Sequence, residues 1–293
     1  MDLLFISVLL TALLAGVSAA VTGVPNNVVV PFQQNYHILY GQDHVNVFGE
    51  NNTVRLSLDQ SSGSGFGSYK KFASGLFEMR IKLPPKDTSC IITSFYLTSL
   101  GDEFHHDELD FEFYGGNSLP YQLQTNVFAN GVGGREQKVA LWFDPTGDFH
   151  DYQILWNQRH VMFSVDGIPI RVFKNNTALG VDYPWRPMQV EATIWYADWA
   201  CDVKPDLSKG PYVAEYQSFD ISGCPVDDFN PNGRELCYSP RFWWNIGNRW
   251  QLDPHQEQEF QNVRAKHISY DYCRDRARYP VVSPECQPNS SLL

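Results

Sequence analysis

The residues from Glu108 to Phe113 alternate between acidic and apolar side chains without a fault. Successive side chains of a β-strand point to opposite faces of its sheet. This period of two therefore predicts a strand whose apolar face, made by Leu109, Phe111 and Phe113, covers a protein core. A helix cannot satisfy the same pattern, so the segment constrains the fold more than any other part of the chain.

Similar alternation recurs along most of the chain. The segments 160–165 and 168–173 flank an Asp-Gly pair, which is a preferred hairpin turn. Runs rich in glycine, serine and proline, such as 61–67, are expected to separate the strands. Many short strands with few helical stretches predict an all-β sandwich or jelly roll. The other predicted strands are 53–58, 77–83, 91–98, 121–128, 152–157 and 188–196, and the best helix candidate is Pro254 to Lys266.

The composition narrows the class of protein. With 33 acidic residues against 22 Lys and Arg, the formal net charge is -11, so the chain repels phosphate backbones and we expect no nucleic-acid partner. Hydrophobic residues make up 43% of the chain, with 8 Trp, 15 Tyr and 19 Phe. That content excludes disorder for most of the chain and is enough to bury one large core.

The first twenty residues are typical of an export signal. An apolar run from Leu3 to Leu14 precedes the small residues 15–20, which suit cleavage by a signal peptidase. A membrane anchor is the alternative, but the run is short for a bilayer, and no charged residue follows it until Asp43, so it has no basic flank that would stop transfer. We therefore expect a secreted, extracellular protein with no membrane partner. Asn-x-Thr sequons at Asn51 and Asn175 predict glycans after export.

Cysteine usage agrees with export. Four cysteines in the final quarter of the chain form two pairs, each with twelve intervening residues. In a secreted protein this spacing predicts two disulfides, and among the three possible pairings we prefer the sequential one; zinc ligands would be more closely spaced. Cys90 and Cys201 lie elsewhere, and their spacing does not show whether they meet. The four predicted disulfide cysteines are Cys224, Cys237, Cys273 and Cys286.

The polar face of the 106–114 strand carries three carboxylates, Glu108, Asp110 and Glu112. Neighbouring carboxylates there have Cα atoms roughly 7 Å apart, from the rise per residue of a strand. Like charges at this range raise the pKa of at least one group, so a protonated acid stands beside an ionised carboxylate. Retaining cleavage of a glycosidic bond uses such a pair, one carboxyl group as nucleophile and the other as acid/base. Glu108 and Glu112 have the longer side chains that can converge, and Asp110 is placed between them to orient one.

Two other interpretations of the acidic face are a solvated surface and a calcium site, although a calcium site usually includes loop carbonyls that this strand lacks. Aromatic residues near the predicted strands favour catalysis on sugars, because sugar rings have apolar faces that stack on them. Each tryptophan taken singly is more often a core residue. The aromatic residues concerned are Tyr96, Trp142, Trp185, Trp195, Tyr196 and Trp199.

The segment His106–Gly115 resembles the HDEIDFEFLG signature of plant xyloglucan endotransglucosylase/hydrolases, in glycoside hydrolase family 16. The likeness spans nearly everything after the export signal. It implies a concave, concanavalin-like β-jelly roll with a disulfide-stapled C-terminal extension that contains a short helix. We accordingly divide the chain into a signal peptide (1–20), a catalytic domain (21–222) and the extension (223–293). Further matching blocks are 61–66, 124–128, 134–137, 141–146, 154–157, 270–273 and 276–280.

The resemblance also implies an activity. Glu108 would be the nucleophile, Glu112 the acid/base and Asp110 the helper between them, with no cofactor and no metal. The enzyme would cleave the β-1,4-glucan backbone of xyloglucan with retention and transfer it to another glucan chain, or to water. Its donor and acceptor would be cell-wall polysaccharides in the apoplast, and we expect a monomer. The matching residues expected to contact polysaccharide are Gln124, Thr125, Asn126, Arg135, Glu136, Asp198, Trp199 and Arg278.

Some of these residues have structural alternatives. Arg278 could pair with a C-terminal carboxylate, and Thr125 could fill a strand. The chain also departs from the family pattern: no sequon follows the catalytic strand at Asn117, and the loop after Tyr196 is shortened, with Cys201 in place of threonine. The second departure concerns acceptor recognition more than the chemistry.

Two other functions stay open. One is a non-catalytic glycan-binding jelly roll, and the other is a predominantly hydrolytic endoglucanase. The intact Glu-x-Asp-x-Glu motif favours an enzyme, because a binding protein has no need to hold three carboxylates together.

Overall fold

The computed structural model describes seven ranges of the chain. The predicted signal peptide, the sequon at Asn51 and the loop 201–205 lie outside them. Within these ranges, no helix is both long enough and apolar enough to span a bilayer. The described ranges are 30–50, 52–85, 88–99, 105–115, 119–200, 206–227 and 233–287.

Strands dominate the described residues, and every pairing between them is antiparallel. In chain order the strands are β1 (Tyr36–Tyr40), β2 (Val45–Phe48), β3 (Thr53–Leu58), β4 (Ser64–Ser68), β5 (Lys71–Lys82), β6 (Ile91–Thr98), β7 (Glu108–Tyr114), β8 (Gln122–Phe128), β9 (Gln137–Ala140), β10 (His150–Trp156), β11 (His160–Val165), β12 (Ile168–Lys174), β13 (Gln189–Tyr196), β14 (Tyr212–Gln217), β15 (Ser222–Val226) and β16 (Ile268–Asp271).

The strands form two sheets that enclose one main core. The first sheet has the order β1-β4-β13-β6-β7-β8-β9-β16, and the second has the order β12-β11-β10-β5-β14-β3-β2, with β15 added to β5. The predicted all-β sandwich is therefore confirmed. So is the hairpin, in which Asp166 and Gly167 both take the positive φ that a type I′ turn requires.

Strand β7 lies near the centre of the first sheet because its apolar face fits the core. Leu109, Phe111 and Phe113 are all buried. The Phe111 ring meets the rings of Phe163 and Tyr152, on β11 and β10 of the second sheet, at centroid distances of 5.2 and 5.8 Å. Burying one such ring contributes about 1.5–3 kcal/mol, so this face fixes the position of the polar face behind it.

The segment 61–67 corrects one expectation, because it is not only a separator. Its second half is strand β4, which lies fully buried between β1 and β13. A side chain at Gly65 would place its Cβ 2.8 Å from the Tyr40 ring and 2.8 Å from the Thr193 methyl group. Glycine is therefore required here because side chains of the neighbouring strands occupy the space of a Cβ, and it does not mark a turn.

The C-terminal part of the chain is joined to the sandwich. Strand β16 pairs with β9 and so adds to the edge of the first sheet. The predicted helix from Pro254 to Lys266 is confirmed, and Asp253 caps it by accepting hydrogen bonds from the next two backbone N–H groups after Pro254. The α-helices are α1 (Phe32–Asn35), α2 (Gly233–Leu236) and α3 (Pro254–Lys266); short 3-10 turns span Gln42–His44, Thr177–Leu179, Leu207–Lys209, Trp243–Asn245, Gly247–Arg249, Tyr272–Arg274 and Pro284–Cys286.

Both predicted disulfides of this region are confirmed with the sequential pairing. They join Cys224 to Cys237 and Cys273 to Cys286. Cys90 is disulfide-bonded as well. Cys201 lies outside the described residues.

Candidate active site

Three carboxylates line the polar face of β7, and we call Glu108, Asp110 and Glu112 the carboxylate row. Glu108 and Glu112 are half-buried, whereas Asp110 is only 7% exposed. The strands on both sides keep the row in the middle of the first sheet. Directly paired residues of antiparallel strands share a face, so the neighbours of the row on β6 and β8 also lie on this side.

Glu112 is held by two donors. Gln124, which pairs with it across β8, donates from Nε2 to Glu112 Oε2 at 2.7 Å, and the Tyr114 hydroxyl donates to the same oxygen at 3.1 Å. Burial raises the pKa of Glu112, while these hydrogen bonds and the charge of Lys138 act in the opposite direction. Glu112 can therefore hold a proton and give it up again, as an acid/base must.

Asp110 and Glu108 are coupled by a hydrogen bond. Burial raises the pKa of Asp110 well above its usual value, and the charges of Glu108 and Glu112 raise it further. Burial also raises the pKa of Glu108, but hydrogen bonds from Thr98 and Asp110 and the nearby His106 oppose this rise. A protonated Asp110 that donates to an ionised Glu108 satisfies both sets of interactions, and it leaves Glu108 as the anionic member of the row.

An aromatic wall stands beside Glu112. The Tyr114 ring lies 6.4 Å from the ring of Trp199, which in turn lies 6.1 Å from the ring of Trp195. Trp199 is 66% exposed, so its ring is available for stacking on a sugar. The Lys138 ammonium lies 4.8 Å from the centre of the Tyr114 ring and places a cation on the same side of the sheet.

Tyr96 and Glu191 form a further pair of candidate functional residues. The sequence pointed to Tyr96 as an aromatic residue near the predicted strands, but Glu191 was missed. Tyr96 pairs with Asp110 across β6, and its hydroxyl donates to Glu191 Oε2 at 2.7 Å. Burial raises the pKa of Glu191. The signal was present in the sequence, because Glu191 falls on the polar side of the alternation in 188–196 and adds a fourth carboxylate to this face.

The structure brings four of the predicted contact residues to the polar side of the sheet or its margin. Gln124 touches Glu112 directly, and Asn126 pairs with Asp110 across β8, although its side-chain oxygen accepts from the backbone N–H groups of its neighbour and of the residue nine positions later. Asp198 and Trp199 are exposed just beyond the end of β13.

Thr125 and Arg135 do not lie on that side. Thr125 is buried on the core side of β8, and its hydroxyl accepts a 3.0 Å hydrogen bond from Arg171, because neighbouring residues of a strand face opposite ways. The Arg135 side chain is also buried, and its Nε donates to Glu285 at 3.1 Å. Both residues therefore serve packing in this structure, and we do not retain them as polysaccharide contacts.

Glu136 and Arg278 form a bidentate ion pair, with N–O distances of 3.1 and 3.2 Å. The alternative that Arg278 pairs with a carboxylate holds, but its partner is Glu136. Arg278 is exposed, so its pair is accessible from solvent. Among the aromatic residues singled out above, Trp142 instead contacts Phe143 and His267, and Trp185 lies against two arginines.

Asp107 anchors the start of the catalytic strand. It is fully buried, and its two oxygens accept hydrogen bonds from the backbone N–H groups of Asn130, Trp185 and Arg186 at 2.7 to 2.8 Å, and from the Arg186 guanidinium at 3.3 Å. The residue before Glu108 is thereby tied to two distant loops. Nothing in the local sequence reveals this, since the donors lie 23 to 79 positions away.

A calcium site is the other chemistry that the acidic face of β7 could serve. In the described ranges, no group of three or more His, Cys, Asp or Glu side chains is arranged to hold a metal ion.

Comparison with known proteins identifies the family. Residues 32–218 match glycosyl hydrolases family 16, and residues 238–286 match the xyloglucan endo-transglycosylase (XET) C-terminus. Xyloglucan endotransglucosylase/hydrolase protein 2 of Arabidopsis thaliana is 48% identical over 89% of this chain and 90% of its own length. Xyloglucan endotransglucosylase protein 2 of Diospyros kaki is 44% identical over 96% of both chains.

Solved structures agree on the fold. A Bacillus licheniformis beta-glucanase is similar with a TM-score of 0.53 and 24% identity, over 62% of this chain and 89% of the other. The apo Crh5 transglycosylase gives a TM-score of 0.53 with 25% identity, over 68% of this chain and 80% of the other. Together with the carboxylate row on β7, these matches show that the chain belongs to glycosyl hydrolase family 16 and carries the C-terminal region of xyloglucan endotransglycosylases.

Proposed function

We propose that this chain is a xyloglucan endotransglucosylase that acts on cell-wall polysaccharide. It cleaves the β-1,4-glucan backbone with retention and transfers the bound segment to another glucan chain. The observation that carries the proposal is the carboxylate row, in which a half-buried acid with two donors and a second glutamate bonded to Asp110 face the same side of one strand. The relatives named for this activity support the substrate.

In the first half of the reaction, Glu108 attacks the anomeric carbon while the glycosidic bond breaks. Glu112 gives its proton to the departing sugar oxygen, so the leaving chain departs as a neutral alcohol. Asp110 donates to Glu108 before the attack, which keeps the nucleophile ionised and oriented. The product is a glycosyl ester on Glu108.

In the second half, the hydroxyl of an acceptor chain enters where the first product left. Glu112, now ionised, takes the proton of that hydroxyl as its oxygen bonds to the anomeric carbon and Glu108 departs. Two inversions give net retention. Water in place of the acceptor gives hydrolysis, so acceptor binding decides which product forms.

Acceptor and donor contacts belong to the same proposal. We infer that Gln124 and Asn126 border the reacting sugar, that Trp199 stacks on a sugar ring with Asp198 beside it, and that the Glu136–Arg278 pair borders the sheet edge. The support is the position of these residues on the polar side of the first sheet or at its margin.

Further expectations go with this function. Secretion to the apoplast, cleavage after residue 20, glycosylation at Asn51 or Asn175, a monomeric state and the division at residues 222/223 are all proposals here. The two disulfides are compatible with export to an oxidising compartment.

The test follows a labelled xyloglucan oligosaccharide into polymer while new reducing ends are counted. We expect label in polymer without new reducing ends. Glu108→Ala should abolish transfer while polysaccharide binding persists. Glu78→Gln is the matched control, because this half-buried glutamate on β5 of the second sheet bonds to Gln153. New reducing ends without label transfer would make the protein a hydrolase. Binding without either signal would make it a glycan-binding protein.

Azide separates the two glutamates. With a β-linked donor that carries a good leaving group, azide should replace the missing nucleophile in Glu108→Ala and give the α-glycosyl azide. In Glu112→Ala it should attack the glycosyl-enzyme and give the β-glycosyl azide. The opposite pairing of products would reverse the roles.

A further inference from the structure

A second surface combines arginines with exposed aromatic rings, and it does not include the carboxylate row. Three tryptophans, Trp185, Trp243 and Trp250, are between 40% and 44% exposed. Each has an arginine guanidinium near its face: Arg234 lies 4.3 Å from Trp185, Arg159 lies 4.5 Å from Trp250 and Arg249 lies 5.2 Å from Trp243. We call these six residues the arginine–tryptophan face.

Asn157 holds the parts of this face together. Its side-chain NH2 donates to the carbonyl oxygens of Trp244 and Arg249, and its side-chain oxygen accepts from the backbone N–H of Arg159. Its own carbonyl accepts from the Tyr183 hydroxyl at 2.6 Å. Three segments distant in sequence, at Arg159, Tyr183 and 244–249, are thereby joined at one buried residue.

The arginines of this face differ from most other arginines of the described residues in having no carboxylate partner there. Within the described residues, no ion pair within 4.0 Å involves Arg159, Arg234 or Arg249. Six other arginines of the described residues pair with Asp or Glu, namely Arg55, Arg80, Arg135, Arg186, Arg264 and Arg278. In a protein of net charge -11, three guanidinium groups with no carboxylate within 4.0 Å among the described residues are available to an anionic ligand.

A cleft of about 520 Å³ lies within this face. Arg159 and Trp185 both line it, so it joins the Trp250 side of the face to the Trp185 side. Its volume falls within the range of small-molecule sites. The remaining lining groups are polar or aromatic and suit sugar hydroxyls: Gln158, Asn175, Thr177, Tyr183 and Tyr238.

We propose that the arginine–tryptophan face binds a polysaccharide that carries carboxylates. A guanidinium pairs with a carboxylate through two parallel hydrogen bonds, and an aromatic ring stacks on the apolar face of a sugar. A neutral glucan would use the rings but not the cations. The face therefore differs in ligand from the carboxylate row, and the proposal does not depend on the transferase activity.

The experiment measures binding of the full chain to polygalacturonate at low and at moderate salt. The same polymer with its carboxylates methyl-esterified, and a neutral glucan, are the ligand controls. The test variant is Arg159→Gln/Arg249→Gln. Its matched control is Arg55→Gln/Lys209→Gln, which removes two exposed cations from the second sheet and a distant turn. A Thr177→Ala sample removes the sequon at Asn175, so that no glycan can fill the cleft.

We expect the wild-type chain to bind polygalacturonate, more weakly as salt rises. The test variant should bind at least tenfold more weakly, the control variant should bind like the wild type, and transfer activity should not change in either. An equal loss of polygalacturonate binding in both variants would show that only the net charge of the protein matters, and it would overturn the proposal. Equal binding of the esterified polymer, equal binding of poly-glutamate, or no binding with or without the sequon would overturn it as well.

Discussion

Asp107 and the carboxylate row are neighbours in sequence, yet their surroundings differ: hydrogen-bond donors surround Asp107, whereas other carboxyl groups surround Asp110. Asp107 has four hydrogen bonds from three residues on its two oxygens. Asp110, three positions later, faces two other carboxyl groups, and their charges add to the effect of burial on its pKa. A carboxylate surrounded by donors is fixed as a structural anchor, whereas carboxylates that face each other keep protons that chemistry can use.

The difference has an energetic consequence. Grouping three acidic side chains on one buried face disfavours the folded state, and active sites commonly carry such a cost. Asp107 offsets part of it at the adjacent position by joining β7 to the loops at Asn130 and Trp185. The anchor and the reactive groups should therefore respond to mutation in opposite ways.

The largest expected effect sharpens this contrast at Glu108. Glu108→Gln should lower the transfer rate by at least about 10⁴-fold, as the loss of a covalent nucleophile does. It should not lower the melting temperature near pH 7. The folded-state pKa of Glu108 is raised, so the native protein holds this proton to higher pH than the unfolded chain does, and wild-type stability falls as pH rises through that interval.

Unfolding of wild type and variant is compared near pH 4 and pH 7, together with the transfer rate. Any stability advantage of the variant should be present at pH 7 and absent near pH 4, where Glu108 is protonated in both states. A variant that is inactive and also clearly less stable at pH 7 would show that Glu108, like Asp107, serves to stabilise the fold.

The next effect concerns Asp107 and is one of stability. In Asp107→Asn the new NH2 group must face two of the four donors, which leaves buried N–H groups without an acceptor. We expect a loss of about 3 kcal/mol in the free energy of unfolding, measured by urea denaturation. Asp144→Asn is the matched control, because a single oxygen of Asp144 accepts both of its hydrogen bonds and asparagine keeps that oxygen. Equal losses in the two variants would contradict the anchor role.

Features of the fold that depend on neighbouring residues in the sequence could be predicted from it, whereas features that depend on contacts between distant residues could not. Strand β7 was predicted with its faces correctly assigned, because alternation is visible in the local sequence and the apolar side of such a strand is the one that the core buries. The helix Pro254–Lys266 was likewise predicted, with Asp253 at its start. Strand β4 was not, because Gly65 is required by the side chains of Tyr40 and Thr193, which lie on neighbouring strands far away in sequence.

The site shows the same division. Matching family blocks placed Thr125 and Arg135 among the sugar contacts, although alternation along β8 already put Thr125 on the opposite side from Gln124. The period of the strand was the better guide there. The role of Asp107 had no local signal, since it depends on the loops at Asn130 and Trp185 that only the fold brings together.

The smallest expected effect tests how the donors around Glu112 set its working pH. Gln124→Leu removes the 2.7 Å donor to Glu112 Oε2. This hydrogen bond stabilises the charged form and holds down the pKa of Glu112, so its loss should raise that pKa and move the basic limb of the pH–rate profile to higher pH. The acidic limb, which we assign to Glu108, should stay in place.

Two variants make the comparison specific. Tyr114→Phe should shift the basic limb in the same direction, because the Tyr114 hydroxyl is the second donor to Glu112 Oε2, at 3.1 Å. Gln122→Leu alters the same strand at a residue whose side chain meets Ser269 and not Glu112, so it should shift neither limb. A basic limb that moves to lower pH in Gln124→Leu, or an acidic limb that moves in its place, would assign the proton of the first step to a group other than Glu112.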